Sequence, residues 1–297
     1  MAVRELENPP GKLPMFARAG AALIPGASRL PFLGGGGREV PDLTLSLREV
    51  EIDRDRLLAY ERVCGFSLSD ELPATFPHIL AFALQLSLMT DPSFPFPAIG
   101  LVHIYNRITQ HRPLRLGDRL SLQVSATPVE PHPRGRQFSL LTSVSEDGEV
   151  VWEEVSTNLR RGGSGSGDSE PAGSAPDVPS AEELPATATW KLPGDLGRRY
   201  GSVSGDLNPI HMHPLSARLF GFRAAIAHGM WTKARCLAAL EARLPDAFTV
   251  EAAFRKPIFL PGTVSFAERS EPDGGVRFGV RDARNGTPHL DGAISRS

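Results

Sequence analysis

Two stretches of the chain are apolar over a helical length, and each is followed by shorter segments in which apolar and polar residues alternate. The first is PHILAFALQLSLM from Pro77, followed by LSLQVSAT, QFSLLTSV and VVWEEVSTN. The second is AHGMWTKARCLAALEARL from Ala227, followed by TVSFAE, VRFGVRDA and TPHLDGAIS. Alternation marks strands with one buried face, and longer apolar runs mark helices. Asp147-Gly148, Asp273-Gly274-Gly275 and Asn285-Gly286 fall between the strand segments as turn signals. One long helix followed by an antiparallel meander, done twice, predicts an α+β chain with an antiparallel sheet.

The two halves also match residue by residue. Tyr60 and Tyr200, Val63 and Val203, and Gly65 and Gly205 pair at an offset of 140 positions. His78 and His228 then pair at an offset of 150, so the second half carries ten extra residues before its helix. Composition divides the halves. Residues 162–186, GGSGSGDSEPAGSAPDVPSAEELPA, are rich in Gly, Ser, Pro and acids and have almost no large apolar side chains. Such a segment buries too little to offset its ordering entropy and reads as a flexible linker. The expected organisation is an N-terminal extension (1–39), a first repeat (40–161), the linker (162–186) and a second repeat (187–297).

Charge and cysteine exclude several functions. The net charge is -2, which argues against a general binder of nucleic acid or anionic membrane. Only Lys12, Lys191, Lys233 and Lys256 among the 32 basic residues are lysines; this reads as coding bias, and no function is assigned to it. Cys64 and Cys236 are too few for a disulfide framework or a zinc site, in keeping with a reducing compartment. The stretch PMFARAGAALIP, from Pro14 to Pro25, has a short apolar run broken by Arg18 and reads poorly as a signal peptide. No run reaches the roughly 20 apolar residues of a spanning helix. A cytoplasmic location is expected.

The ten extra residues lie within GDLNPIHMHPLSARLFGF, Gly205 to Phe222. A carboxylate at Asp206 and an imidazole at His211, five residues apart across a Pro-containing turn, can share one water. Tyr200, Ser204, Gly205, Asp206, Asn208, Pro209, Ile210 and His211 together resemble the signature of MaoC-like R-specific enoyl-CoA hydratases, with AHGM at Ala227 and FRKPIFLPGTV at Phe254 as further matches. The resemblance implies a hotdog fold, a sheet wrapped around a central helix, and two copies in one chain make a double hotdog. It also implies that Asp206 and His211 are the catalytic pair, that Asn208 helps to fix their geometry, and that the product is an R-3-hydroxyacyl thioester. The N–H of Gly229, opening the second long helix, is then the oxyanion donor. The substrate would be an enoyl thioester of coenzyme A or acyl carrier protein, with no cofactor and no metal.

Other readings of the same residues stay open. Asp206 can serve simply as a turn cap. His211-x-His213 has a spacing seen in metal sites, but no further ligand stands at a useful distance in sequence. His228 reads as a packed or helix-start histidine, and Cys236 as buried and inert. Arg255 and Lys256 are candidates for coenzyme A phosphates, or are a solvated strand end. His213 stands where family members often carry Asp, which bears on substrate preference.

At the offset of 140, Asp206 corresponds to Phe66 and His211 to Glu71, and NPIH has no counterpart. The first repeat is therefore expected to be non-catalytic, as in double-hotdog hydratases that retain one motif, where the acyl tunnel lies between the repeats. The competing functions are a hotdog thioesterase, on fold alone, and a non-catalytic acyl-thioester binding subunit. One double hotdog already supplies internal pairing, so the chain can be monomeric or a homodimer.

Overall fold

Local signals place the helices that carry the motif. Asp53 caps helix α1 (Arg54–Cys64), its carboxylate accepting from the backbone of Asp55 at 2.8 Å and Arg56 at 3.2 Å. Gly65 ends α1 in the left-handed region, at φ 83°. Helix α2 is Phe76–Met89 and helix α3 is Leu196–Ser204. Gly205 ends α3 at φ 81°, so the matched glycines Gly65 and Gly205 do the same work. Helices α4 (Pro209–Met212), α5 (Pro214–Leu219) and α6 (Gly229–Leu240) follow.

The computed structural model describes residues 2–11, 37, 39–162 and 178–296. The candidate targeting stretch Pro14–Pro25 and residues 163–177 of the expected linker lie outside the described residues. The chain divides into two compact units that do not follow the sequence halves. One contains residues 1–51, 78–104 and 119–176, and the other contains residues 52–77, 105–118 and 177–297. Helix α1, from the first sequence half, thus belongs with the motif.

The first unit is built on strands β1 (Ala2–Leu6), β2 (Leu43–Val50), β4 (Leu120–Ala126), β5 (Glu130–His132), β6 (Gly135–Glu146) and β7 (Glu149–Arg161). It also contains the first four residues of β3 (Leu101–Gln110). The order is β1-β2-β4-β6-β7, with β5 beside β6, and every pair is antiparallel except the parallel β1–β2. β1 lies in the expected N-terminal extension, where the sequence pattern predicts no strand. Period two is clear in β4, where Leu120, Leu122 and Val124 are buried. Asp147 and Gly148 both have positive φ and join β6 to β7, as a tight hairpin requires. From His78 onward α2 is largely buried, and its polar groups find partners: His78 Nδ1 lies 2.8 Å from Glu154 Oε1, while Gln85 donates to Glu154 and Thr142.

The second unit contains β3 from Tyr105 onward, β8 (Ala186–Leu192), β9 (Phe248–Phe254), β10 (Gly262–Ser270), β11 (Val276–Asp282) and β12 (Pro288–Arg296). They run antiparallel in the order β3-β9-β12-β11-β10-β8. Helix α6 is buried against this sheet. Lys233, fully buried, donates from Nζ to Asn106 Oδ1 at 2.5 Å, to Asn106 O at 3.2 Å and to Val250 O at 3.1 Å, joining the helix to β3 and β9. Cys236 is buried on the same helix, as expected. The end of the expected linker is packed: Val178, Ala181 and Leu184 are buried, and Ala181 N donates to Asp291 Oδ1 at 3.0 Å. No helix among the described residues is long and apolar enough to cross a membrane.

Candidate active site

The motif folds as a tight turn laid on α3. After Gly205 turns the chain, Asp206 N donates to Ser204 Oγ at 3.1 Å, and Asp206 Oδ1 accepts from Asn208 N at 3.1 Å. Asn208 caps α4, its Oδ1 accepting from Ile210 N at 3.4 Å, and Pro209 sits at the first helical position, where its missing N–H costs nothing. The turn approaches α3 so closely that a Cβ on Gly197 would lie 2.0 Å from the carbonyl oxygen of His211. The sequence alone did not single out Gly197, because its glycine is required by a contact across 14 residues of chain rather than by a local turn.

These constraints bring three side chains together. Ligand-type atoms of Asp206, His211 and His228 all lie within 4.8 Å of one another. His211 is buried and its Nδ1 lies 2.8 Å from the carbonyl of Ile226. A carbonyl only accepts, so Nδ1 carries the proton and Nε2 is the basic nitrogen. His228 Nε2 lies 3.0 Å from the main-chain carbonyl of Asp206 and 3.7 Å from its Oδ2. By the same reasoning, the His228 proton is on Nε2, and its buried Nδ1 has no hydrogen-bond partner among the described residues. The His211 and His228 rings stack with centroids 3.6 Å apart and 23° between planes. Tyr200 packs on His228 at 4.8 Å and on Tyr60 at 6.1 Å, so the matched tyrosines of the repeat meet here.

Burial holds the His211 imidazole below its ordinary 6.5, opposed in part by Asp206 and by the bond to Ile226. Burial, and then the like charge His211 would carry, push His228 down to about 3. Both rings are therefore neutral at pH 7 next to a carboxylate, a state suited to accepting a proton. Distance alone would admit a metal, and each ring leaves one nitrogen free, but the rings stack with 23° between their planes, so their in-plane lone pairs run side by side rather than toward one tetrahedral centre. His213, the other half of the suspected spacing, is outside the cluster; it caps α5, with Nδ1 accepting from Leu215 N at 3.2 Å.

Gly229 is the first residue of α6, with His228 as its cap. The first-turn N–H groups of a helix have no intrahelical partner and carry partial positive charge. A Cβ on Gly229 would meet the Phe254 ring at 3.0 Å, so packing as well as approach by a ligand favours glycine. Arg255 and Lys256 are elsewhere. Arg255 Nε pairs with Asp291 Oδ2 at 2.7 Å and its Nη2 donates to Val178 O at 3.2 Å, while Lys256 is exposed and its carbonyl meets His289 Nδ1 at 2.9 Å. Arg255 thus holds the end of the linker segment to the sheet, a third use that neither sequence reading contained.

Comparison with known proteins agrees with the motif. Residues 174–285 match the family model of the MaoC like domain. The chain is 36% identical to 3-hydroxyacyl-thioester dehydratase X of Mycobacterium tuberculosis over 286 residues, covering 96% of this chain and 98% of that protein. The crystal structure of HtdX from Mycobacterium tuberculosis superposes with a TM-score of 0.75 at 36% identity, covering 86% of this chain and all of that one. A further Mycobacterium tuberculosis structure, described as a double hotdog fold, is 13% identical with a TM-score of 0.55 over 88% of this chain and 95% of its own. The fold is a double hotdog.

Proposed function

Because the chain belongs to the MaoC-like dehydratase family, we propose that it reversibly hydrates trans-2-enoyl thioesters of coenzyme A or acyl carrier protein to R-3-hydroxyacyl thioesters. The observation that carries this reading is the convergence of Asp206 and His211, with His211 Nδ1 anchored on Ile226 O at 2.8 Å so that Nε2 is left as the base. The related 3-hydroxyacyl-thioester dehydratase X is named for the reverse direction of the same reaction.

Water is held between the Asp206 carboxylate and His211 Nε2. Its oxygen bonds to C3 of the enoyl group as the pair takes up its proton, and the π electrons move onto the thioester oxygen. That oxygen is stabilised by the N–H of Gly229 at the positive end of α6. The proton held by the pair returns to C2, which restores the carbonyl and leaves the enzyme unchanged. Asn208 acts by position, because its backbone and side chain set the turn that spaces Asp206 from His211.

The first repeat is read as non-catalytic. Phe66, opposite Asp206 in the repeat, is a buried ring stacked 6.4 Å from Tyr60, and Glu71 forms an isolated backbone bridge with Arg115. The test follows loss of enoyl absorbance with crotonyl-CoA, then chiral analysis of the product. R-3-hydroxybutyryl-CoA formed by the unsubstituted protein, and lost in Asp206→Asn and His211→Ala, is the expected result. Thiol release without hydration would replace the reading with a thioesterase.

A further inference from the structure

Resting on the hydratase reading, we propose that a basic pocket at Lys191, Arg223 and Arg284 binds phosphate of the carrier to which the acyl thioester is attached. The pocket is a surface cleft of about 400 Å3, a size suited to a small-molecule group. Three side chains bring positive charge to it, and Asp282 is the one acid among its lining residues. Asp282 Oδ1 accepts from the backbone N–H groups of Arg284 at 2.9 Å and Asn285 at 3.1 Å, so its single negative charge is held by the turn and is outnumbered by the three cationic side chains. Arg223 stacks its guanidinium 4.3 Å over the Phe259 ring, which fixes its plane and leaves the edge, where its N–H groups lie, for an anion.

The position of the pocket relates it to the reaction. Its wall includes Ile258 and Phe259, and these residues pair with the segment leading into α6. Ala227 N donates to Ile258 O at 2.9 Å, Leu260 N donates to Ala225 O at 2.8 Å, and Ile226 bridges Phe259. The same segment supplies the Ile226 carbonyl to His211 and ends at Gly229. One short backbone ladder therefore has the reaction centre attached to one strand and the cationic pocket to the other. An acyl thioester on coenzyme A or a carrier protein ends in an arm bearing phosphate, so an anion site beside the thioester site matches that chemistry. Arg255 does not compete for this role, being engaged by Asp291.

The experiment compares the unsubstituted protein with a Lys191→Ala/Arg223→Ala/Arg284→Ala variant on three crotonyl thioesters: of coenzyme A, of phosphopantetheine, and of N-acetylcysteamine, which has no phosphate. All three side chains are exposed, so the variant is expected to keep the fold, which its Tm checks. A lost charge-assisted contact is worth about tenfold. We expect the variant's loss of kcat/KM on crotonyl-CoA to exceed its loss on the N-acetylcysteamine thioester by at least about tenfold. A loss shared by the phosphopantetheine thioester assigns the pocket to the phosphate common to both carriers. A loss confined to coenzyme A assigns it to the nucleotide phosphates. Equal losses on all three substrates overturn the proposal. If the unsubstituted protein turns over none of them, the hydratase reading has failed, and calorimetry with free coenzyme A decides the pocket separately. Binding at least about tenfold weaker in the variant upholds it, and equal binding refutes it.

Discussion

Replacing Asp206 with Asn separates the chemical role of this side chain from its role in the turn. The amide keeps an Oδ1 that accepts from Asn208 N, now at 3.1 Å, so the turn before α4 should survive with only the charge assistance lost. That loss is worth about 0.5–1 kcal/mol in stability. The other carboxylate oxygen, 3.7 Å from His228 Nε2, becomes an NH2 that meets a donor and cannot take a proton from water. Removing one member of an acid–base pair costs about 10²- to 10⁴-fold in rate, or about 3–5 kcal/mol of barrier. Asp206→Ala should lose as much rate and a further ~1 kcal/mol of stability, because the bond to Asn208 N then disappears as well. Thermal melting reads the first quantity, and kcat on crotonyl-CoA at saturating substrate reads the second. Asp206→Asn retaining more than about a tenth of kcat would refute the role given to the carboxylate. A Tm as low as that of Asp206→Ala would refute the role given to the turn.

Four further outcomes follow from the geometry. The acid limb of kcat/KM should fall below pH 6.5, because burial lowers the His211 pKa and the neutral base persists into acid; a limb above 6.5 contradicts this. Stability should decline in the same window, since the unfolded chain binds protons below 6.5 that folded His211 and His228 resist, at up to about 1.4 kcal/mol per pH unit for each group; pH-dependent denaturation measures it. Gly197→Ala places a methyl against the His211 carbonyl and should cost about 1–3 kcal/mol and displace the base, so a wild-type Tm and kcat would contradict the packing described. Arg255→Ala should leave KM for crotonyl-CoA unchanged and lower stability by about 1 kcal/mol, after allowing for the exposure of Arg255, by stranding the buried Asp291; a raised KM with unchanged Tm would return Arg255 to substrate binding.

What the sequence made legible was local. Asp206, Asn208 and His211 sit within one turn, and the glycine, Asn cap and Pro that shape it are adjacent in the chain. The strands of both meanders were legible for the same reason, since their alternation and turn residues need no knowledge of partners. His228 reads from the sequence as a packed or helix-start histidine, and it is both, buried at the start of α6; its contact with His211 was not legible, because only pairing of residues 225–227 with 258–260 lays the one ring on the other. Strand β1 was missed because its partner, β2, lies some 40 residues away and pairs in parallel. Val178, Ala181 and Leu184 were assigned to a linker by the composition around them; Asp291 and Arg255, more than 70 residues away in sequence, fasten that segment.

The two histidines of the site are anchored by peptide carbonyls rather than by other side chains: His211 by Ile226, and His228 by Asp206. A carbonyl is present whatever residue bears it. The buried side chain at 226 can therefore give way to another apolar residue of similar size without unfastening the base, provided the backbone keeps its course. This separates the inheritance of the chemistry from that of the surrounding shape. A library of apolar residues at position 226 would show whether the pH profile stays fixed while that side chain varies.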